Sequence, residues 1–381
     1  MAMRKETLFL SLILGLLVLG SLPAPSRQEG DFDKWVALEQ ANAGKDVGGG
    51  KKDPKLTSAE ASTVSNGIDP TNNFGGKNGY YKTISESIAN IPDDSTKRYV
   101  LDLKPGTVFR EKVFLKKSKP FVTFKSDPSN PAIIVWNDTA TTLGKDGKPL
   151  GTVGSATVTV ESDYFMAYGV IFKNDAPLPK PGAKKGQAPA LRVMGTKAAF
   201  YNCTIIGGQV ALYDQKGLHY FKDCVIKGTI DFIFGFARSL YEACSIVSIN
   251  KDIVPKPAEP QASKTTVAAA GAESGFSFKN CTIKGEGQKI YLGRVLEGSR
   301  AVYSYTEMGM EVVPIILDRG NINYPKSGTY YGNFKCAGPG LDAVKKDKLA
   351  LDLTDAQVKP FLGTNFISGE SWILPPPKKD K

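Results

Sequence analysis

The chain has 381 residues, 41% of them hydrophobic, with 39 Gly, 19 Phe, 15 Tyr and a formal net charge of +11. That is ample material for one large domain or two ordinary ones. One histidine, five cysteines and no GxSxG elbow argue against a Ser-His-Asp hydrolase, and the cysteine spacing argues against a His/Cys metal centre. Basicity favours a polyanionic partner such as acidic polysaccharide or phospholipid, and no nucleic-acid motif accompanies it.

The N-terminus reads as a secretory signal peptide over residues 1–26. Arg4 and Lys5 precede an apolar run from Leu8 to Leu22, followed by Pro23-Ala24-Pro25-Ser26. The run is short for a membrane span and no second one approaches that length, so the expected product is a secreted, extracellular protein with a net charge of +10. Residues 27–76 are polar and Gly-rich and read as an irregular arm, with one short helix possible over 31–43. Tyr81 to Asp94 has apolar residues at helical spacing, and the spacing predicts an amphipathic helix that caps the body of the fold.

Beyond Asp94 the chain is a succession of short strands, four of which are copies of one another: AFYNCTIIG, YFKDCVIKG, LYEACSIVS and SFKNCTIKG. Their cysteines, Cys203, Cys224, Cys244 and Cys281, are 21, 20 and 37 residues apart, the last step being one period plus an insertion. Self-similarity at this period with β composition predicts a parallel β-solenoid of three short strands per turn, spanning residues 77–374. The cysteines are expected as a stacked, inward-facing ladder, with disulfides between neighbouring turns open as an alternative. An odd count of five leaves at least one thiol unpaired or intermolecular. The C-terminal segment LTDAQVKPFLGTNFISGESWIL reads as a short helix and tail packed back along the coil, ahead of a frayed basic end at 375–381. Of three Asn-x-Thr sequons, those at Asn202 and Asn280 fall inside repeat strands, leaving Asn137 beside a loop as the expected glycan site. His219 sits in a repeat strand and reads as an outward structural residue.

Chemistry must then fall to carboxylates. Asp231 stands among β-formers in GTIDFIFG, where burying an unpaired charge costs several kcal/mol unless neighbours compensate. Gln187, Gln209, Asp231 and Arg294 are separated by 22, 22 and 63 residues, close to one, one and three periods, so a solenoid brings them onto one strip. A carboxylate oriented by Arg is a nucleophile, and two amides suit a developing oxyanion. The plain alternatives are a strand-end Asp accepting backbone hydrogen bonds and an ordinary polar ladder on the coil.

With GTVFREKV, WNDTA, GTVGSATV, GQAPALRV, YNCTIIGGQ, GTIDFIFG, YLGR, YTEM and LTDAQVKPFLGTNFISGESW in order over about Lys55 to Leu374, the chain resembles plant-type pectin methylesterases. The resemblance implies an all-β, right-handed parallel β-helix and hydrolysis of galacturonan methyl esters to methanol and acidic pectin in the cell wall. It implies no cofactor or metal, pectin as partner, a monomer, and a proteinaceous inhibitor as a further partner; nucleic acid and membrane are not expected. The long inhibitor-like pro-region of some members is not expected. Position by position it makes Asp231 the nucleophile, Arg294 the residue that orients it, Gln187 and Gln209 the oxyanion donors, and Thr152 a substrate contact. Two positions depart. The family's Gln-Asp-Thr-Leu is here Gln209-Val210-Ala211-Leu212, so Val210 replaces the general acid and base. Leu296 replaces the substrate tryptophan of Leu-Gly-Arg-x-Trp. Asp214, four residues on, is a poor substitute for the lost acid, being expected in the turn before the next strand. Two readings result, an active esterase and a catalytically impaired pectin-binding homologue. A lyase on the same architecture would need a calcium-carboxylate cluster, and none is evident near Asp231.

Overall fold

The computed structural model describes residues 37, 52–71, 79–178, 186–249, 263–264, 274–286, 290–293, 300–313, 330–346 and 350–375, with residues 263 and 264 described in backbone only. The signal segment 1–26, the helix expected over 31–43 apart from Ala37, and the tail beyond 375 lie outside the described residues. Among them no helix is long and apolar enough to cross a membrane.

The strands form a three-sided parallel coil, with sheets of 12, 8 and 5 strands among the described residues and a separate three-stranded sheet after the insertion. One turn runs Leu191–Val193, Ala198–Tyr201, Thr204–Ile206. The next runs Leu212–Asp214, Leu218–Lys222, Val225–Gly228, with Leu191 opposite Leu212, Ala199 opposite Tyr220 and Thr204 opposite Val225. The step on every side is 21 residues, the period of the cysteine spacing. Right-handed crossover is the rule for such parallel connections.

The interior is built of ladders. Phe200, Phe221, Tyr241, Phe278 and Tyr303 stack ring on ring at 4.6 to 5.0 Å with nearly parallel planes. Beside them run the thiols. Cys203, Cys224, Cys244 and Cys281 are buried and Cys336 is half-buried, all five as free thiols rather than disulfides. Each of the last three directs its thiol at a carbonyl one turn back: Cys244 at Phe221, Cys281 at Tyr241 and Cys336 at Tyr303, all at 3.4 Å. Burial pushes the thiols of Cys224, Cys244, Cys281 and Cys336 up, which removes the reactive thiolate. A thiol reagent is therefore expected to titrate at most one cysteine quickly in the native protein, Cys336, and all five after denaturation. Two or more fast thiols would contradict the ladder.

The corners of the coil are left-handed. Asn202, Asp223, Ala243, Asn280, Tyr305 and Lys335, each directly before a ladder position, have φ between 48° and 54°. The sequons at Asn202 and Asn280 therefore sit at exposed corners and not inside strands as expected, because Asn tolerates the left-handed conformation that these turns demand. Asn137 is exposed after the strand Ala132–Trp136.

Within the expected arm over 27–76, residues 53–71 form regular structure instead. Asp53 caps the helix Pro54–Ala61, which buries Leu56 and Ala59, and the strand Val64–Ile68 joins the longest sheet beside Tyr99–Leu103. Asp53 also accepts hydrogen bonds from Tyr164 and Lys197. Burial alone would raise its carboxyl, but the Tyr164 and Lys197 contacts outweigh it and bring the pKa down to about 2. Polar composition hid these elements, since only two apolar residues of the helix point inward.

The helix Ile84–Ala89, with Thr83 as its cap, buries Ile84 and Ile88 at the N-terminal end of the coil. At the other end, Asp355–Val358 begins with a Thr354/Gln357 capping box and leads into short 3-10 turns. These turns bury Phe361, Phe366 and Trp372 against Met166, Tyr201, Tyr220 and Leu240 on the outer face of the longest sheet. The tail thus packs back along the coil as the sequence predicts.

Candidate active site

Asp231 is not within a strand. It occupies a left-handed corner at φ 47°, 6% exposed, immediately before the strand Ile233–Gly235. Asp is among the few residues that visit this conformation readily. The approach to it is fixed by Gly228, where a Cβ would lie 2.2 Å from Cβ of Phe232. Phe232 and Ile233 then turn inward and close the core beneath the carboxylate.

Val210 occupies the same corner one turn earlier. Its φ is 60°, it is 5% exposed, and its amide donates to the Ile230 carbonyl at 3.0 Å. Since Leu212 pairs with Ile233, Val210 is in register with Asp231. A β-branched residue here is a conformational outlier, whereas an aspartate would fit without main-chain movement.

Gln187 and Gln209 form a parallel bridge on consecutive turns, so their side chains leave the coil side by side, both half-buried. The Gln209 carbonyl accepts from Ala188 at 2.9 Å and the Gln187 carbonyl from Ala140 at 2.8 Å. The Ala140 carbonyl in turn accepts from Gly151 at 3.0 Å, the first residue of the short helix Gly151–Gly154 that carries half-buried Thr152. Thr152, Gln187, Gln209 and Asp231 thus belong to one continuous run of neighbouring turns. Arg294 and Leu296 lie outside the described residues. The backbone leading to them is held by Tyr303, whose hydroxyl donates to the Leu292 carbonyl at 3.1 Å.

His219 is not outward. It is fully buried, as is Asp214, and the two are hydrogen-bonded through Nδ1 and Oδ1; Nε2 meets the Gly195 carbonyl at 2.8 Å and the Tyr241 hydroxyl donates to Asp214 at 2.6 Å. Asp214 closes the strand Leu212–Asp214 with its side chain inside the coil, not in a turn, so it cannot reach a ligand in the groove. The misplaced histidine follows from parity: His219 and Phe221 share one face of their strand, and Phe221 is in the core stack.

Sequence reasoning missed an outward ladder on the five-stranded sheet. Register aligns Phe114, Thr159, Arg192, Tyr213 and Phe234. The aromatic part continues at the open end, with Tyr213 and Phe234 5.5 Å apart, Phe234 and Phe236 5.9 Å apart, and Phe236 42% exposed. Arg192 is held by Gln215 at 2.6 Å and Glu161 at 3.2 Å. Burial pushes the Tyr213 phenol up, opposed by Arg192, so it stays protonated at neutral pH. The signal was available, since Arg192, Tyr213 and Phe234 are separated by the same 21-residue step as the first two cysteines. Among the described residues no group of three or more His, Cys, Asp or Glu is arranged to hold a metal.

The Pectinesterase family model matches residues 75–370. The chain belongs to the pectinesterase family. Putative pectinesterase 63 of Arabidopsis thaliana is 39% identical over 300 residues, 78% of this chain and 85% of the relative. Pectinesterase 2 of Olea europaea is 38% identical over 306 residues, 78% of each. Among solved structures, the pectin methylesterase from carrot matches with a TM-score of 0.66 at 28% identity, covering 82% of this chain and 95% of the carrot protein. Pectin methylesterase PemA from Erwinia chrysanthemi matches with a TM-score of 0.68 at 25% identity, covering 83% and 99%. The right-handed parallel β-helix that the resemblance implies is therefore the fold of this chain.

Proposed function

We propose that this chain is a secreted, cell-wall pectin methylesterase that acts as a monomer on methylated galacturonan, without metal or cofactor. The observation that supports the reading is a nearly buried carboxylate at a left-handed corner, on the turn after that of Gln209, which is itself bridged to Gln187 one turn earlier. Asp231 attacks the C6 carbonyl carbon of a galacturonate ester; the ester C–O bond breaks, methoxide leaves with the electron pair and takes a proton from solvent water, and an acyl-aspartate remains. Gln187 and Gln209 donate to the oxyanion as it forms. Arg294 holds the carboxylate ionised, and water then cleaves the acyl-aspartate. Thr152 and Leu296 contact the chain of sugars, with Tyr213, Phe234 and Phe236 as the aromatic surface on which rings rest. A proteinaceous inhibitor would bind across this groove, and Asn137 is the expected glycan site.

Val210 favours a second reading, an impaired homologue that binds pectin and turns it over poorly, because the corner beside the nucleophile holds an apolar side chain. Methanol release from highly methylated pectin separates the two. The purified chain is expected to exceed an Asp231→Ala control. Equal rates in the two, with pectin binding retained, would overturn the esterase and leave the binding protein.

A further inference from the structure

We infer that this site selects esters by the acidity of their leaving group, and hydrolyses phenolic esters of uronic acids in preference to methyl esters. The inference rests on Asp231 being the nucleophile, as proposed above. The position in register with Asp231 is Val210, 5% exposed, which offers an isopropyl group where a proton donor would stand. The ionisable pair on that same turn, Asp214 and His219, is fully buried and closed on itself. Tyr213 is three residues along the strand, roughly 10 Å at the usual rise. Neither Val210 nor the closed Asp214–His219 pair can therefore hand a proton to a departing oxygen.

The cost of that arrangement depends on the substrate. Methanol, about as weak an acid as water, leaves as a strong base and needs a proton in the transition state. A phenol, with a pKa of about 10, leaves as the stable phenoxide. In the phenolic case the bond from Asp231 to the acyl carbon forms, the acyl–O bond breaks, and the phenoxide carries away the electron pair with no proton transfer. Water adds to the galacturonyl carbonyl of the resulting anhydride, the Asp231 carboxylate is released as the second leaving group, and the proton passes to solvent. The surroundings suit an aryl group. Val210 is apolar, and the Tyr213, Phe234 and Phe236 strip presents ring surface with Phe236 42% exposed.

The test uses the full chain with methyl, phenyl and 4-nitrophenyl esters of one galacturonate oligosaccharide, corrected for spontaneous hydrolysis. In the native chain kcat/KM is expected to rise steeply from methyl to phenyl to 4-nitrophenyl. The phenyl-to-methyl ratio is expected to exceed that of Val210→Asp by at least about 10²-fold, the usual worth of general acid assistance. A flat dependence across the series in the native chain overturns the inference whether or not the variant folds. So does an unchanged ratio in a folded Val210→Asp. Phenyl ester hydrolysis by Asp231→Ala at the native rate instead removes Asp231 as the nucleophile, which is the failure of the function proposed above.

Discussion

Val210→Asp is expected to raise methanol release from methylated galacturonan by about 10²-fold or more, within the 10²–10⁴ that a positioned acid and base contribute. The backbone is already prepared for it. Val210 has φ 60° and Asp231, one turn on, has φ 47°, so an aspartate takes over a conformation that an aspartate already occupies next door. The substitution also removes a β-branched residue from the left-handed region, where an L-residue is disfavoured by roughly 1–2 kcal/mol. The new carboxyl would stand in register with the nucleophile, about one strand spacing of 4.8 Å away, close enough to hand a proton to departing methoxide and then to activate water. The gain belongs in kcat more than in KM, because the acid acts on the transition state and not on the bound sugar chain. Steady-state kinetics on soluble methylated oligogalacturonides would resolve the two. A folded variant with an unchanged kcat would mean that proton delivery does not limit this site.

The solenoid was legible because its repeat is written in the residues that pack worst if displaced. A cysteine or an aromatic ring moved by one position leaves the core, so Cys203, Cys224 and Cys244 recur at 21 and 20 residues and announce the coil. The pairing of Gln187 with Gln209 on consecutive turns was legible for the same reason, since the period that stacks the core also stacks the surface. The features that escaped were conformational. Nothing in GTIDFIFG says that Asp231 stands at a corner instead of in the strand, because its left-handed φ matches the corner it stacks on, that of Val210 one turn earlier. The elements Pro54–Ala61 and Val64–Ile68 escaped because they are anchored by long-range contacts such as Asp53 with Tyr164 and Lys197, not by local apolar pattern. The aromatic strip of Tyr213, Phe234 and Phe236 was overlooked although it follows the period, since alternation along three-residue strands is too short to separate the outer face from the inner.

His219→Ala is expected to destabilise the protein by about 3–5 kcal/mol, the usual result of removing one member of a buried ionic pair. Nε2 of His219 faces the Gly195 carbonyl, an acceptor only, and so carries a proton. The bond from Nδ1 to Asp214 then holds one further proton between ring and carboxyl, and the pair is neutral overall whichever group carries it. Without the ring, the Asp214 carboxyl keeps the Tyr241 hydroxyl as its side-chain donor among the described residues, in a site otherwise lined by core residues. The ladders say what apolar set could replace all three. Val160 and Val193 occupy the position of Asp214 on earlier turns, Ala198 that of His219, and Phe221 stacks where Tyr241 does. The triple variant Asp214→Val, His219→Ala, Tyr241→Phe should therefore lose less stability than His219→Ala alone, since no charge is stranded. Denaturant unfolding of the two variants tests this, and a triple variant weaker than the single one would refute it. The consequence reaches the groove. The Asp214 carbonyl accepts the amides of Phe236 and Ala237 at 3.1 and 3.3 Å, and a Cβ on Gly235 would lie 1.7 Å from it. The turn that carries Asp231 is thus clamped onto the turn that carries Val210 through the backbone of Asp214, and loosening the buried pair releases the register on which the nucleophile's position depends.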